Sequence, residues 1–132
     1  MTKVLLAVDA GTSRIKAVAF SMTGEQRAMS TQPVETVHPQ PGHVEQDMTQ
    51  VRRQMETAIQ TVLNRLPETA HPQGLAITGQ GDGLWAIDAD GTPVRNAILW
   101  SDSRAADLLA TWAEDGTREA IVDQCGSAPY PG

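Results

Sequence analysis

The segment Val4-Leu5-Leu6-Ala7-Val8-Asp9-Ala10-Gly11-Thr12-Ser13-Arg14-Ile15-Lys16 constrains the fold of this chain more than any other. A short apolar run bounded by a turn reads as a buried strand, with apolar residues on both faces over 3–8. The strand ends on an acid, a small-residue turn follows, and a basic residue opens a second apolar run over 15–20. That order suits a magnesium-phosphate site. Gly11 lets backbone approach a bulky anion with no Cβ in the way. Thr12 and Ser13 offer backbone N–H and hydroxyl donors to phosphate oxygens. Lys16 supplies positive charge, and the Asp9 carboxylate suits a magnesium ion that keeps several waters. A tight hairpin whose glycine and threonine serve only the turn has the same pattern, so spacing leaves both readings open.

The rest of the chain alternates strand and helix signals. Met22-Thr23-Gly24-Glu25 reads as a hairpin turn, and 26–37 as a third strand that Pro33 confines to an edge. Pro39, Pro41 and Gly42 make 38–46 a loop. Asp47 has the form of a helix N-cap, with Gln50 as its capping-box partner. Met48, Val51, Met55, Ile59, Val62, Leu63 and Leu66 then fall on one stripe at helical spacing, and Pro67 stops the helix. The stripe is expected to pack on the sheet. Gly74–Thr78 reads as a buried strand leading into the glycine-rich Gly79–Gly83. Leu84–Asp88 and Val94–Trp100 read as strands about an Asp90-Gly91 turn. Ser101 or Ser103 is expected to cap a helix carrying Ala105, Leu108, Leu109 and Trp112. Gly116-Thr117 breaks it, and a short helix runs through Ile121 to Gly126. The final stretch, Ser127-Ala128-Pro129-Tyr130-Pro131-Gly132, reads as a chain that is cut rather than finished.

Composition narrows the partners. With 132 residues, one domain with a real core is expected. The net charge of −6, from 10 basic and 16 acidic residues, argues against nucleic acid as the main partner. A nucleotide needs only a few local donors and is not excluded. The single cysteine, Cys125, forms no internal disulfide, which fits a reduced, cytoplasmic setting, and it is expected to be a buried helix residue. No run approaches the roughly 20 apolar residues that span a bilayer, so no membrane role is expected. His38, His43 and His71 lack metal-ligand spacing and read as loop residues.

Gly79-Gln80-Gly81-Asp82-Gly83 is not a dinucleotide fingerprint, because Leu84 stands where the third glycine is needed. Nor does a G-K-S/T triplet occur anywhere. Glycines at a strand end bring backbone close to a small ligand. Gln80 offers polar contacts, and a carboxylate such as Asp82 accepts from two hydroxyls at once, which suits a polyol. A plain turn is the alternative reading.

Four stretches together carry a resemblance. Asp9–Lys16 resembles the D-x-G-T-x-x-x-K/R phosphate motif of the sugar kinase, Hsp70 and actin fold. Pro41-Gly42-His43-Val44-Glu45-Gln46-Asp47, Ile77-Thr78-Gly79-Gln80-Gly81-Asp82-Gly83 and Ala97-Ile98-Leu99-Trp100-Ser101-Asp102-Ser103-Arg104-Ala105 resemble, in order, further motifs of the FGGY carbohydrate kinases. The resemblance implies an α/β fold of the ribonuclease H-like (actin/hexokinase/Hsp70) type, a mixed sheet with packed helices, incomplete here. Residues 1–132 are then the amino-terminal part of the first domain, with the carboxy-terminal ATPase lobe absent. It implies ATP-dependent phosphorylation of a sugar or polyol hydroxyl, with ATP and Mg²⁺ as cofactors. Asp9, through water, and Gly11, Thr12, Ser13 and Lys16 would serve the phosphates and metal. Gln80, Gly81, Asp82, Trp100, Asp102 and Tyr130 would line the acceptor site. Trp100 and Asp102 also fit a core tryptophan and a helix-capping acid, and Glu45 and Gln46 fit a loop-ordering role. The general base is expected downstream, so the chain alone is expected to be inactive. Gly81-Asp82 looks more like erythritol or L-xylulose kinases than D-xylulose kinases, which favours a tetritol, pentitol or pentulose. The family reading admits a homodimer. A non-catalytic sugar-binding or interaction domain, and a chaperone- or actin-like ATPase, are the competing readings.

Overall fold

The computed structural model describes residues 2–131. They form two compact units, each assembled from separate stretches of chain. One comprises residues up to Thr36 together with Asp47–Gln80; the other comprises Val37–Gln46 and the residues from Gly81 onward.

The first unit is a four-stranded mixed sheet with one long helix. Strands β1 (Thr2–Ala10), β2 (Arg14–Ser21), β3 (Gln26–Pro33) and β5 (Ala70–Gly79) lie in the order β3-β2-β1-β5. The first three form an antiparallel meander, and β5 pairs parallel to β1. Pro33 ends the edge strand β3, where its missing N–H breaks no central ladder. Helix α1 (Met48–Asn64) packs chiefly on β2 and β3. Its buried Ala58 and Val62, with Val51, Met55, Ile59 and Leu66, close over Val8, Ile15, Ala17, Ala19 and Ala28. This is the expected apolar stripe at helical spacing.

Asp47 caps α1 as anticipated: its Oδ1 accepts from Thr49 N at 2.8 Å and Gln50 N at 3.2 Å. The capping-box partner differs. The Gln50 side chain turns instead to Glu35, accepting its backbone N–H at 3.3 Å. The strand expected over 74–78 runs from 70 to 79, and it is not buried: Leu75 and Ile77 are 49% and 56% exposed. Their register partners Leu6 and Val8 lie on the face that α1 covers. The helix sits over β2 and β3, so its cover gives out before β5.

In the second unit, β4 (Glu45–Gln46) pairs antiparallel with β6 (Ala97–Ile98). The expected loop over 38–46 therefore ends in a short buried strand. The strands expected over 84–88 and 94–100 reduce to β6 and to isolated bridges, Leu84 with Ile98 and Ile87 with Pro93. Pro93 brings no N–H to a ladder, which stops the hairpin from extending. The Asp90-Gly91 turn forms, with Asp88 N donating to Thr92 O at 2.9 Å. Helices α2 (Ala106–Asp115) and α3 (Thr117–Cys125) follow and pack on each other. Neither expected serine caps α2: Ala105 stands at the N-cap, and the Ser103 hydroxyl donates to Gly42 O. Cys125 is an exposed free thiol rather than a buried helix residue.

Candidate functional site

In the first unit the residues of the expected phosphate turn gather at the carboxyl ends of β1 and β5. Parallel pairing sets Asp9 beside Thr78 and Ala10 beside Gly79. Ligands of open α/β sheets bind outside such strand ends. Asp9 lies directly across from Lys16 in the β1–β2 ladder, and both are exposed. Strand alternation puts this acid and base on one face, opposite the Val8 and Ala17 face that α1 covers. Gly11 N donates to Arg14 O at 3.1 Å, and a Cβ on Gly11 would stand 3.0 Å from that same oxygen. The turn is thus tight enough to favour glycine. The Thr12 hydroxyl donates to Gln80 Oε1 at 3.0 Å, and Gln80 N donates to Ala10 O at 3.3 Å. Ser13 is exposed beside them. The expected phosphate turn and the first expected acceptor residue are therefore hydrogen-bonded neighbours.

Gly81, Asp82, Trp100, Asp102 and Tyr130 belong to the second unit. Gly81 is exposed. Asp82 has φ 62°, a left-handed conformation no other non-glycine residue adopts among those described. Such a backbone persists only where its surroundings impose it. Gly83 follows with φ 75°, and a Cβ there would overlap the Ile98 carbonyl oxygen. The Asp82 carboxylate near Tyr130 holds that phenol above its ordinary range. Trp100 is half exposed, unlike a core tryptophan. Tyr130 and Gly83 also help line a cavity of about 420 Å³, floored by Leu108, Leu109 and Trp112 of α2.

Asp102 departs from the sequence expectation of an acceptor contact, and from that of a helix cap. It is 2% exposed, and four donors fill its carboxylate. Oδ1 accepts from Arg104 N and Nε, both at 2.9 Å, and Oδ2 from Val44 N at 2.6 Å and Arg104 Nη2 at 2.8 Å. A carboxylate has about four lone-pair sites, so none is left for a ligand hydroxyl. The Arg104 hydrogen bonds hold the Asp102 carboxyl well below the usual carboxylate range. Arg104 Nη2 also reaches Glu45 Oε1 at 2.7 Å, and Arg95 and Asn96 bind the same buried carboxylate at 3.0 and 3.3 Å. Glu45 is likewise held low, first by Arg104. Sequence reasoning gave Glu45 only a general ordering role and gave Arg104 none. Oppositely charged residues at the ends of short strand-like runs, Glu45 after Val44 and Asp102 and Arg104 after Ala97–Trp100, are the available signal.

No group of three or more His, Cys, Asp or Glu side chains gathers to hold a metal among the described residues. Asp9 is a lone exposed carboxylate, a donor set that suits Mg²⁺ held mainly by water and phosphate rather than a protein cage. No helix of the described residues is long and apolar enough to cross a membrane.

Strand order, parallel closure and the glycine turn define an α/β domain of the ribonuclease H-like class. Residues 4–132 match the model of the FGGY family of carbohydrate kinases, N-terminal domain, and the chain belongs to that family. It is 35% identical over 125 residues to a glycerol kinase of Methylibium petroleiphilum, covering 92% of this chain and 25% of that protein. It is 33% identical over 122 residues to the L-xylulose/3-keto-L-gulonate kinase of Escherichia coli, covering 92% and 24%. The crystal structure of a gluconate kinase from Lactobacillus acidophilus superposes with a TM-score of 0.86 at 18% identity, covering 93% and 25%, a likeness of fold. The chain spans about a quarter of the length of these relatives.

Proposed function

We propose that this chain is the amino-terminal part of the first domain of an ATP-dependent kinase that phosphorylates a hydroxyl of a sugar or polyol, of pentulose, tetritol or pentitol type. The observation that carries the reading is the Thr12–Gln80 hydrogen bond, which joins a phosphate turn to an acceptor-type side chain at one strand edge. The relatives named glycerol kinase and L-xylulose/3-keto-L-gulonate kinase support the acceptor class. The cytoplasmic setting expected from a lone cysteine goes with it.

Catalysis of phosphoryl transfer is mostly positioning and charge neutralisation. Gly11 leaves room for the phosphate, and the Thr12 backbone N–H together with the Ser13 N–H and hydroxyl would donate to its oxygens. Lys16 offsets their charge from the strand beside Asp9. Asp9 would hold magnesium through water; when bound, Mg-ATP supplies the transferable phosphoryl group. In the first unit Gln80 is assigned to the acceptor, and in the second unit Asp82, Trp100, Tyr130 and the backbone at Gly81. The general base and the adenosine site are assigned to polypeptide outside these residues.

A site built to read a hydroxyl rejects an analogue lacking it by about 10⁴-fold. The test is acceptor-dependent ADP release by the full-length kinase across glycerol, tetritols, pentitols and pentuloses, with the 132-residue chain alongside. Turnover on one acceptor by the long form alone is expected. In that form Asp82→Ala should abolish acceptor use while ATP affinity stays near wild type. Equal loss on both sides contradicts the role of Asp82. Acceptor binding with no ADP release in either form replaces the kinase with a non-catalytic sugar-binding module.

A further inference from the structure

We infer that Asp102, Arg104 and Glu45 are positioning residues for Asp82: their ion-pair knot fixes the backbone platform that imposes the left-handed conformation of Asp82. The inference rests on the proposed kinase reading for its consequence in catalysis, though not for its geometry.

The platform is the segment from Ala97 to Trp100. Leu84 N donates to Ile98 O at 2.9 Å, and Ile98 N donates to Leu84 O at 3.0 Å. Between these bonds and Asp82 lies Gly83, pressed so closely on Ile98, Leu99 and Trp100 backbone that no Cβ fits. The 82–84 turn therefore takes its shape from this segment. The segment is held from its other side by the 42–46 stretch. Leu99 N donates to Val44 O at 2.9 Å, and Glu45 and Gln46 pair with Ile98 and Ala97.

Two short strands of two residues each are weak alone. The knot joins them. Arg104 spreads its fork over Asp102 and Glu45, while Asp102 also binds Val44 N, so one buried cluster spans both stretches. Side-chain exposures of 0% for Asp102 and 10% for Glu45 keep water from replacing these bonds. Arg104 lines the same cavity as Gly83 and Tyr130, so its fork stands close to the parts it steadies. Loosening the fork lets the platform move, and Asp82 then leaves its strained backbone and carries its carboxylate away from Tyr130.

Tyr130 is the only tyrosine in the sequence, so its phenolate absorbance reports this geometry without kinase activity. Arg104→Lys keeps the charge and removes the fork. Asp102→Asn is isosteric and serves if the lysine variant fails to fold. Arg95→Gln, at a half-exposed partner of Glu45, is the control. In Arg104→Lys the Tyr130 titration should fall toward its ordinary range. In the full-length kinase the acceptor KM should rise on the order of 10–100-fold with the ATP KM unchanged. Arg95→Gln should leave the titration where it is. A folded Arg104→Lys with unmoved Tyr130 titration overturns the inference. So does loss of native tryptophan fluorescence in both Arg104→Lys and Asp102→Asn, which makes the knot a stability element only. A moved titration with no acceptor turnover in any form keeps the positioning role and removes the kinase reading. An unmoved titration with normal turnover does the reverse.

Discussion

Gly83→Ala tests the seat of the Asp82 turn directly. At φ 75° an alanine bears the left-handed penalty of about 1–2 kcal/mol. Its Cβ would also overlap Ile98 O and stand 3.1 Å from both Leu99 C and Trp100 N. These are backbone atoms, which cannot rotate aside, so the turn must lift from the segment. Lifting breaks the reciprocal Leu84–Ile98 pair, two hydrogen bonds worth about 0.5–1.5 kcal/mol each. The combined cost is about 2–5 kcal/mol. Trp85, Trp100 and Trp112 all lie in the second unit, so tryptophan fluorescence in urea reads that unit alone. With a slope of about 1–3 kcal/mol per molar urea, the midpoint should fall by at least about 0.7 M. Gly81→Ala is the internal control. A Cβ there meets nothing within 4 Å, and its backbone is not left-handed. Its change should be neutral or up to about 1 kcal/mol stabilising, through the unfolded chain. A Gly83→Ala midpoint no lower than that of Gly81→Ala would refute the reasoning.

Acid should weaken the second unit in a defined window. Asp102 and Glu45 are held below their ordinary values, so their contribution is complete above the unfolded carboxylate range near pH 4 and is lost as pH falls through the lowered folded values. The tryptophan midpoint should be flat from neutral pH to about pH 5 and then decline. Arg104→Met should cost about 3–5 kcal/mol at neutral pH by leaving the buried Asp102 carboxylate without its cation, and should flatten that decline. Asp47→Ala removes two N-cap bonds of α1 and should cost about 1 kcal/mol, read by far-UV circular dichroism during urea unfolding. Ile15→Ala and Ile77→Ala remove the same atoms from opposite environments, 0% and 56% exposed. The first should cost about 2–5 kcal/mol and the second under about 0.5, by the same dichroism assay.

The first unit was largely legible because period and punctuation agreed there. Val4–Val8, Ile15–Phe20 and the Met48–Leu66 stripe each bury one continuous surface, and Asp47 announces its helix. The second unit was harder to read because its order depends on side chains meeting across the sequence. Val44 N and the Asp102 carboxylate are 58 residues apart, and no local pattern marks their meeting. Leu84–Asp88 and Val94–Trp100 carry strand composition, yet Pro93 and the pairing of Ile98 with Glu45 leave them only short bridges. At the candidate site, residue type pointed to Asp9, Thr12 and Gln80. It could not separate Asp82, exposed and strained, from Asp102, buried and saturated, since both are acids just beyond apolar strand-like runs. Burial and the number of donors separate them, and those belong to the fold.

The parallel closure of β5 on β1 imposes an order of events on a growing chain. Thr12 and Gln80 are 68 residues apart, and no hydrogen bond between them can form until the later one exists. At a synthesis rate of about 5–20 residues per second, that interval is roughly 3–14 s. Through it the β1–β2–β3 meander, whose contacts are local, has ample time to fold in microseconds to milliseconds. The nascent chain therefore carries the meander with its Thr12–Gln80 edge still open. That edge closes only after the meander and α1 have been laid down, so long-range topology sets a late step in the assembly of the first unit.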